Sequence, residues 1–212
     1  MPNWTKYWKT RRADWKAIHL DSWQHEHRSL ITGKLKKLRW HSLFELGCGG
    51  GANLYRILHD FPDKEVGGVD INQDAINTLW QLSEFLHKEH KTKKMFIEAR
   101  DFVKEGAFIS DKGVDISLSD MCCIYFNKRQ IKRVLREIKR ITRFDVIFVE
   151  FHHKNPLKRI LLRLRSGYHA FDWQKLLEKN GFYDVEIEKI QEKDWPGGSP
   201  QKEFANIISA KL

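Results

Sequence analysis

Ser42-Leu43-Phe44-Glu45-Leu46-Gly47-Cys48-Gly49-Gly50-Gly51-Ala52-Asn53-Leu54 is the stretch from which the fold can be read. Leu43-Phe44 closes an apolar run with the character of a buried strand. Glu45 stands at the strand's end, and glycines at 47, 49 and 51 turn the chain into a helical pattern of Leu54, Ile57, Leu58 and Phe61. Glycine tolerates positive φ and lets a ligand come close to the backbone. The helix that follows offers unpaired N–H groups and the positive end of its dipole. A nucleotide-like ligand is the first expectation for such a turn.

Two patterns overlap here. Gly47, Gly49 and Ala52 satisfy the dinucleotide fingerprint G-x-G-x-x-G/A. Glu45, Gly47, Gly49 and Gly51 satisfy E/D-x-G-x-G-x-G, the pattern of S-adenosylmethionine (SAM) sites. A carboxylate at the strand end suits the cationic amino group of a methionine moiety and would repel a pyrophosphate. Gly68-Val69-Asp70 ends a second strand in an acid, 19 residues after Gly51, where both hydroxyls of a ribose can be accepted. Asp101-Phe102 repeats the arrangement after a third strand. From about residue 40 to the C-terminus the chain thus resembles the class I SAM-dependent methyltransferases.

The resemblance implies a Rossmann-like α/β three-layer sandwich. Its sheet has seven strands, mostly parallel with the last antiparallel, and here N-terminal helices precede it. Strands are expected at 41–46, 65–70, 94–98, 113–119, 144–151, 182–189 and 204–211, the last two joined by Asp194-Trp195-Pro196-Gly197-Gly198-Ser199-Pro200. Helices are expected at 51–60, from Asn72 or Asp74 to about 88, at 127–142, and from Asp172 to Asn180-Gly181. Segment 152–170 reads as irregular and basic, with room for a short helix. Residues 1–40 read as a two-helix cap, 3–18 and 22–38, on a single globular domain covering 41–212.

Composition narrows the setting. The chain has 212 residues, of which 41% are apolar and 31% charged, which fits one folded domain and not a disordered one. It has no apolar run long enough for a membrane span, and Met1-Pro2-Asn3-Trp4-Thr5-Lys6 lacks the apolar core of a secretory signal. Three cysteines, two of them adjacent (Cys122, Cys123), make neither a disulfide framework nor a metal-ligand spacing, so no metal and a cytoplasmic location are expected. The net charge of +10 is concentrated in two places. Residues 1–40 hold ten Lys/Arg against three Asp/Glu, and residues 128–143 hold eight against one. Such faces are either solvated helix surfaces or footprints for a polyanion.

In an open parallel sheet, ligands bind outside the carboxyl ends of the strands. By the resemblance, Glu45, Gly47, Cys48, Gly49, Gly51 and Asn53 surround the methionine part of SAM. Asp70 holds the ribose with Ile71 against the adenine face, Asp101-Phe102 meets the adenine, and Ser119 and Asp120 lie beside the sulfonium. Methyl transfer is an in-line displacement at an activated carbon, so the protein positions the acceptor and removes a proton where needed. His152 and His153 follow the fifth strand, where a general base could reach an acceptor, and Tyr125 follows the fourth, where it could orient one. Trp4, Tyr7 and Trp8 are expected to roof the acceptor pocket. Cys122 lacks the preceding proline of cytosine C5 methyltransferases, and the Asn/Asp-Pro-Pro-aromatic motif of exocyclic amino methylation is missing after the fourth strand. Thr142-Arg143 stands in place of the family's frequent Pro-Gly-Gly turn. The expected activity is methyl transfer from SAM, yielding S-adenosylhomocysteine, to an oxygen, nitrogen or carbon of a small molecule, with no membrane partner. An RNA or other polyanion substrate, suggested by the basic helices, stays open. So does a non-catalytic SAM-binding subunit, and so does an NAD-dependent oxidoreductase.

Overall fold

The structure is a computed structural model that describes residues 2–93, 95–195 and 198–212. Lys94, the expected start of the third strand, and Pro196-Gly197 of the last linker lie outside the described residues. Seven strands form one sheet: β1 (Ser42–Leu46), β2 (Glu65–Asp70), β3 (Phe96–Ala99), β4 (Val114–Asp120), β5 (Thr142–Phe151), β6 (Tyr183–Lys189) and β7 (Ala205–Lys211). Their order is β3-β2-β1-β4-β5-β7-β6. Every pair from β3 to β5 is parallel, and β7 runs antiparallel to both β5 and β6. The order reverses between β1 and β4, which opens a crevice at their carboxyl ends.

Helices cover both faces. Alternate residues of a strand point to opposite sides, so Leu43, Ile147 and Val149 join one apolar cluster while Phe44, Val146 and Phe148 join another. The first cluster is closed by α3 (Glu26–Leu35), α4 (Ala52–Asp60) and α5 (Gln73–His90) through Ile31, Leu35, Leu54, Ile57, Leu58, Ile76 and Leu79. The second is closed by α6 (Phe102–Glu105), α7 (Lys128–Ile141) and α9 (Trp173–Lys179). In α7 the residues Ile131, Val134, Leu135, Ile138 and Ile141 are buried, and Asn127 and Gln130 close a reciprocal capping box at its start.

The N-terminal segment departs from the expected two helices. The first breaks into α1 (Trp4–Thr10) and α2 (Trp15–Ser22). Arg11 turns extended, and the Asp14 side chain accepts from Ala17 N–H at 2.9 Å, which restarts the helix. Ile31, Leu35 and Trp40 lie in the same cluster as Leu54 and Ile57. α1 has no buried residue of its own and meets the rest of the protein through its aromatic rings. Segment 152–170, expected to be irregular, carries the eleven-residue α8 (Pro156–Ser166), capped by Asn155 with Pro156 at its first turn. The short α10 (Ser199–Phe204) leads into β7.

Candidate active site

The glycine turn is held by the strand beside it. Gly47 and Cys48 N–H groups donate to Val69 O at 2.8 and 3.0 Å, and Gly51 N–H donates to Cys48 O at 2.8 Å. Gly47 has φ +73°, and a Cβ there would lie 2.5 Å from Cys122 Sγ. Gly49 has φ +52° but nothing within 4 Å of its Cβ position, so its face is open. Gly49 N–H donates to Asp70 Oδ2 at 3.0 Å, while Asp70 Oδ1 accepts from Asn72 N–H at 2.8 Å. Burial raises the Asp70 carboxyl against these two bonds.

Beside this turn opens a cavity of about 350 Å³. Gly47, Gly49, Asp70, Ile71, Asp101 and Phe102 form one end. Asp120 and Arg28 stand on its wall, and Trp4, Trp8, Trp15 and Tyr125 enclose it. Asp101 caps α6, with its side chain accepting from Lys104 N–H. Trp4 lies tilted on Tyr125 with centroids 5.0 Å apart and stacks on Tyr168 at 5.4 Å; Trp8 meets Tyr125 edge-on at 5.2 Å. Three hydrogen bonds hold α1 in place. Trp4 Nε1 donates to Gly167 O at 3.1 Å, and the Asn72 amide donates to Trp8 O and Arg11 O at 2.7 and 2.9 Å.

Under the cavity lies a buried polar hub that the sequence did not announce. Asn53 Nδ2 donates to Glu45 Oε1 at 2.6 Å and to Asp120 Oδ2 at 3.0 Å. Arg28 Nη1 donates to Asn53 Oδ1 and, at 3.0 Å, to the same Asp120 oxygen. His27 Nε2 sits 3.1 Å from that oxygen, its ring against Trp195. Burial alone would raise Asp120, but the His27 ring and the Arg28 guanidinium outweigh it and hold the carboxyl down at about 2. Burial pushes Glu45 up to about 8 and Glu150 up to about 7. Glu150 Oε1 accepts from Ser119 Oγ (2.7 Å) and from the N–H groups of Cys122 and Cys123. Glu45 Oε2, Asp120 Oδ1 and Glu150 Oε2 are buried with no protein partner. Orphaned buried acceptors are costly, and Asp120, on the wall, has the charge and the free oxygen to receive a cation.

The expected site residues separate into two groups. Gly47, Gly49, Asp70, Ile71, Asp101, Phe102, Asp120, Trp4, Trp8 and Tyr125 line the cavity. Glu45, Cys48, Gly51, Asn53 and Ser119 lie behind it: Asn53 and Ser119 tie the acids together, Gly51 begins α4 against Leu79, and Cys48 packs in the core. Tyr7, 47% exposed, braces Trp4 and Trp8 from outside. His152 and His153 are not brought to the cavity. Trp173 N–H donates to His152 Nδ1 at 3.1 Å, and Asn155 N–H donates to His153 Nδ1 at 2.9 Å. With Nδ1 accepting, a neutral ring carries its proton on Nε2 and has no lone pair left for an acceptor molecule. Their role here is to fix the backbone after β5. Burial also raises the Cys122 thiol and the Tyr125 phenol, so both stay protonated at neutral pH. Arg28, Trp15, His27 and Glu150 join the site without having been expected there. Glu150 carries a sequence signal, an acid inside the apolar run Val146 to Phe151, whereas Arg28, His27 and Trp15 lie in helices rich in polar residues and carry none.

Residues 41–195 match the family described as a methyltransferase domain, and the chain belongs to that family. It is a SAM-dependent methyltransferase. No curated protein matches the sequence. Its fold is similar to that of geranyl diphosphate C-methyltransferase from Streptomyces coelicolor A3(2), crystallised with Mg2+, geranyl diphosphate and S-adenosyl-L-homocysteine. That pair aligns with a TM-score of 0.71 at 11% identity, over 98% of this chain and 96% of the other. Magnesium protoporphyrin IX methyltransferase from Synechocystis PCC 6803, with bound SAH, aligns with a TM-score of 0.65 at 13% identity, over 98% and 92%. The SAM-dependent methyltransferase SibL, in its apo form, aligns with a TM-score of 0.65 at 15% identity; 91% of this chain covers only 56% of that protein.

Proposed function

We propose that SAM occupies the cavity beside the glycine turn and that the enzyme methylates a small molecule held against Trp4, Trp8 and Tyr125. The observation that carries this reading is the cavity's lining. Glycines and acids from the strand ends and aromatic rings from α1 and Tyr125 line the same cavity, and its size is that of a small-ligand site. Asp70 would take the ribose hydroxyls, Ile71 and Phe102 the adenine faces, and Asp101 the adenine amino group. Asp120 Oδ1 would receive the methionine ammonium, and Arg28 would face its carboxylate. The bound cofactor supplies an electrophilic methyl carbon; this chain's residues orient the acceptor and keep water away from it. Cys122 and Tyr125, both protonated, can donate hydrogen bonds to an acceptor but not take its proton. The site therefore suits an acceptor atom that is already nucleophilic at neutral pH.

Two of the solved structures with this fold were crystallised as methyltransferases of geranyl diphosphate and of magnesium protoporphyrin IX, which is consistent with a small acceptor here. Three free cysteines fit a reducing, cytoplasmic setting. Among the described residues no helix is long and apolar enough to cross a membrane. The test is a thermal shift followed by turnover. SAM and S-adenosylhomocysteine should each raise the melting temperature and NAD should not, because a ligand that binds only the native state stabilises it. Radiolabelled SAM offered to small-metabolite, RNA and protein fractions should label the first. Labelling confined to RNA would overturn the substrate class while leaving the cofactor assignment intact.

A further inference from the structure

On α8, Leu157, Ile160, Leu161 and Leu164 are 67%, 54%, 48% and 71% exposed. At 100° per residue these four fall within an arc of about 100°, one continuous stripe. Leu162, 6% exposed and on the far side of the helix, is the one residue of α8 that anchors it to the core. The apolar stripe thus points directly away from the protein. Isolated exposed aliphatic residues are ordinary, but four in one ridge are not.

On α8 itself every charged residue is basic. Lys158 and Arg165 flank it on one side and Arg163 on the other. Lys158 pairs with Glu203 at 2.8 Å, whereas Arg163 and Arg165 have no carboxylate partner among the described residues. Between α8 and the start of α7 runs a groove of about 480 Å³ lined by Lys128, Arg129, Arg159 and Arg163, with no aspartate or glutamate on it. An apolar ridge with cationic shoulders matches a surface that sets acyl chains directly beneath phosphates. Nucleic acid would engage the arginines and give the leucines nothing.

We propose that α8 is an interfacial helix that docks the enzyme on an anionic lipid bilayer, its leucine ridge entering the acyl boundary and the adjoining basic groove receiving lipid phosphates. Docking of this kind needs no spanning segment, so the absence of one from the sequence does not bear on it. The position also has a consequence for the site. Gly167 ends α8 and its carbonyl holds Trp4 Nε1, while Arg163 shares a second cavity with Trp4 and Tyr125. A docked molecule presents the aromatic end of its active site to the membrane.

Co-sedimentation with vesicles of phosphatidylcholine, with and without phosphatidylglycerol, tests the proposal. The full chain should pellet with the phosphatidylglycerol vesicles and release as salt is raised. Leu157→Ser/Leu164→Ser should lower partitioning roughly ten- to a hundredfold. Arg163→Glu/Arg165→Glu should lower it at least about tenfold on the anionic vesicles. Both pairs are solvent-facing, so circular dichroism melts should match wild type. No pelleting of the wild-type chain overturns the proposal. So does equal pelleting of wild type and the leucine variant, which would mean charge alone. A lipid-indifferent dimer that the leucine variant breaks would assign the ridge to a second copy of the chain, and overturns it too.

Discussion

Asp70 spends one lone pair of each oxygen on its own scaffold, through Gly49 N–H and Asn72 N–H. A carboxylate has about four acceptor positions, so its cavity-facing side can still take a pair of hydroxyls. Asp70→Ala should weaken SAM binding by about 2–4 kcal/mol, or roughly 30- to 1000-fold. Calorimetric titration of the folded variant checks this, and unchanged affinity would mean that the ribose lies elsewhere. Asp70, Asp101 and the glycines are legible in the sequence because one rule covers them: each sits where a parallel strand ends. The hub around Asp120 is not. Its partners His27 and Arg28 lie 93 and 92 positions away in sequence, brought in by the packing of α3. Nothing local distinguishes that arginine from the solvated ones around it. His152 and His153 are the converse case, outside the cavity's lining. Their place after β5 is evident from the sequence, but which ring atoms the backbone occupies is not a property of position.

Elements repeat the lesson with larger pieces. On one unbroken helix Trp4, Trp8, Trp15 and Ile18 would form a single stripe, and in the structure all four line the cavity. They do so because the chain breaks after α1 and folds the stripe around the mouth, a break fixed by Asn72 reaching Trp8 O and Arg11 O from another element. The same N-terminal segment therefore has two functions that separate by mutation. Removing residues 2–13 takes away α1, none of whose residues is itself buried, so the core clusters stay intact and the chain should still fold, with only a modest loss of melting temperature from the uncovered Tyr125 and Tyr168. Turnover should fall roughly 10²-fold as the acceptor loses its wall. Full activity in the shortened enzyme would refute the lid. Ile31→Ala, on α3 and 1% exposed, should instead cost about 2–5 kcal/mol of stability and leave the rate per folded molecule unchanged. Urea melts paired with single-turnover rates distinguish the two.

For the molecule as a whole, the buried acids under the site set how stability follows pH. Glu45 and Glu150 hold protons more tightly folded than unfolded, their carboxyls raised by burial from an ordinary 4.5 to about 8 and about 7. Across that interval the folded chain binds protons that the unfolded chain has lost, so stability falls as pH rises from about 4.5 and levels off above about 8. Asp120 acts in the other direction. Its depressed carboxyl contributes stability above its ordinary 3.8 that disappears as pH drops toward about 2. His25, His152, His153 and His169, lowered chiefly by burial, oppose the fall due to the two glutamates, since each adds stability as pH rises toward the ordinary 6.5. Each proton held only by the folded chain is worth about 1.4 kcal/mol for every pH step of one, so the two glutamates should lower the free enzyme's stability between pH 5 and pH 8 relative to variants in which they cannot ionise. Glu45→Gln and Glu150→Gln keep an oxygen for Asn53 and for the Ser119–Cys123 N–H and O–H groups, and cannot ionise. Each should flatten the slope and be more stable than wild type at pH 8. A bound cation beside Asp120 favours ionised acids, so SAM should bind more tightly as pH rises from 6 to 8 and release protons on binding, seen as a buffer-dependent heat. Parallel, flat urea-stability profiles for wild type and both variants between pH 5 and 8 would show the acids already ionised in the free enzyme.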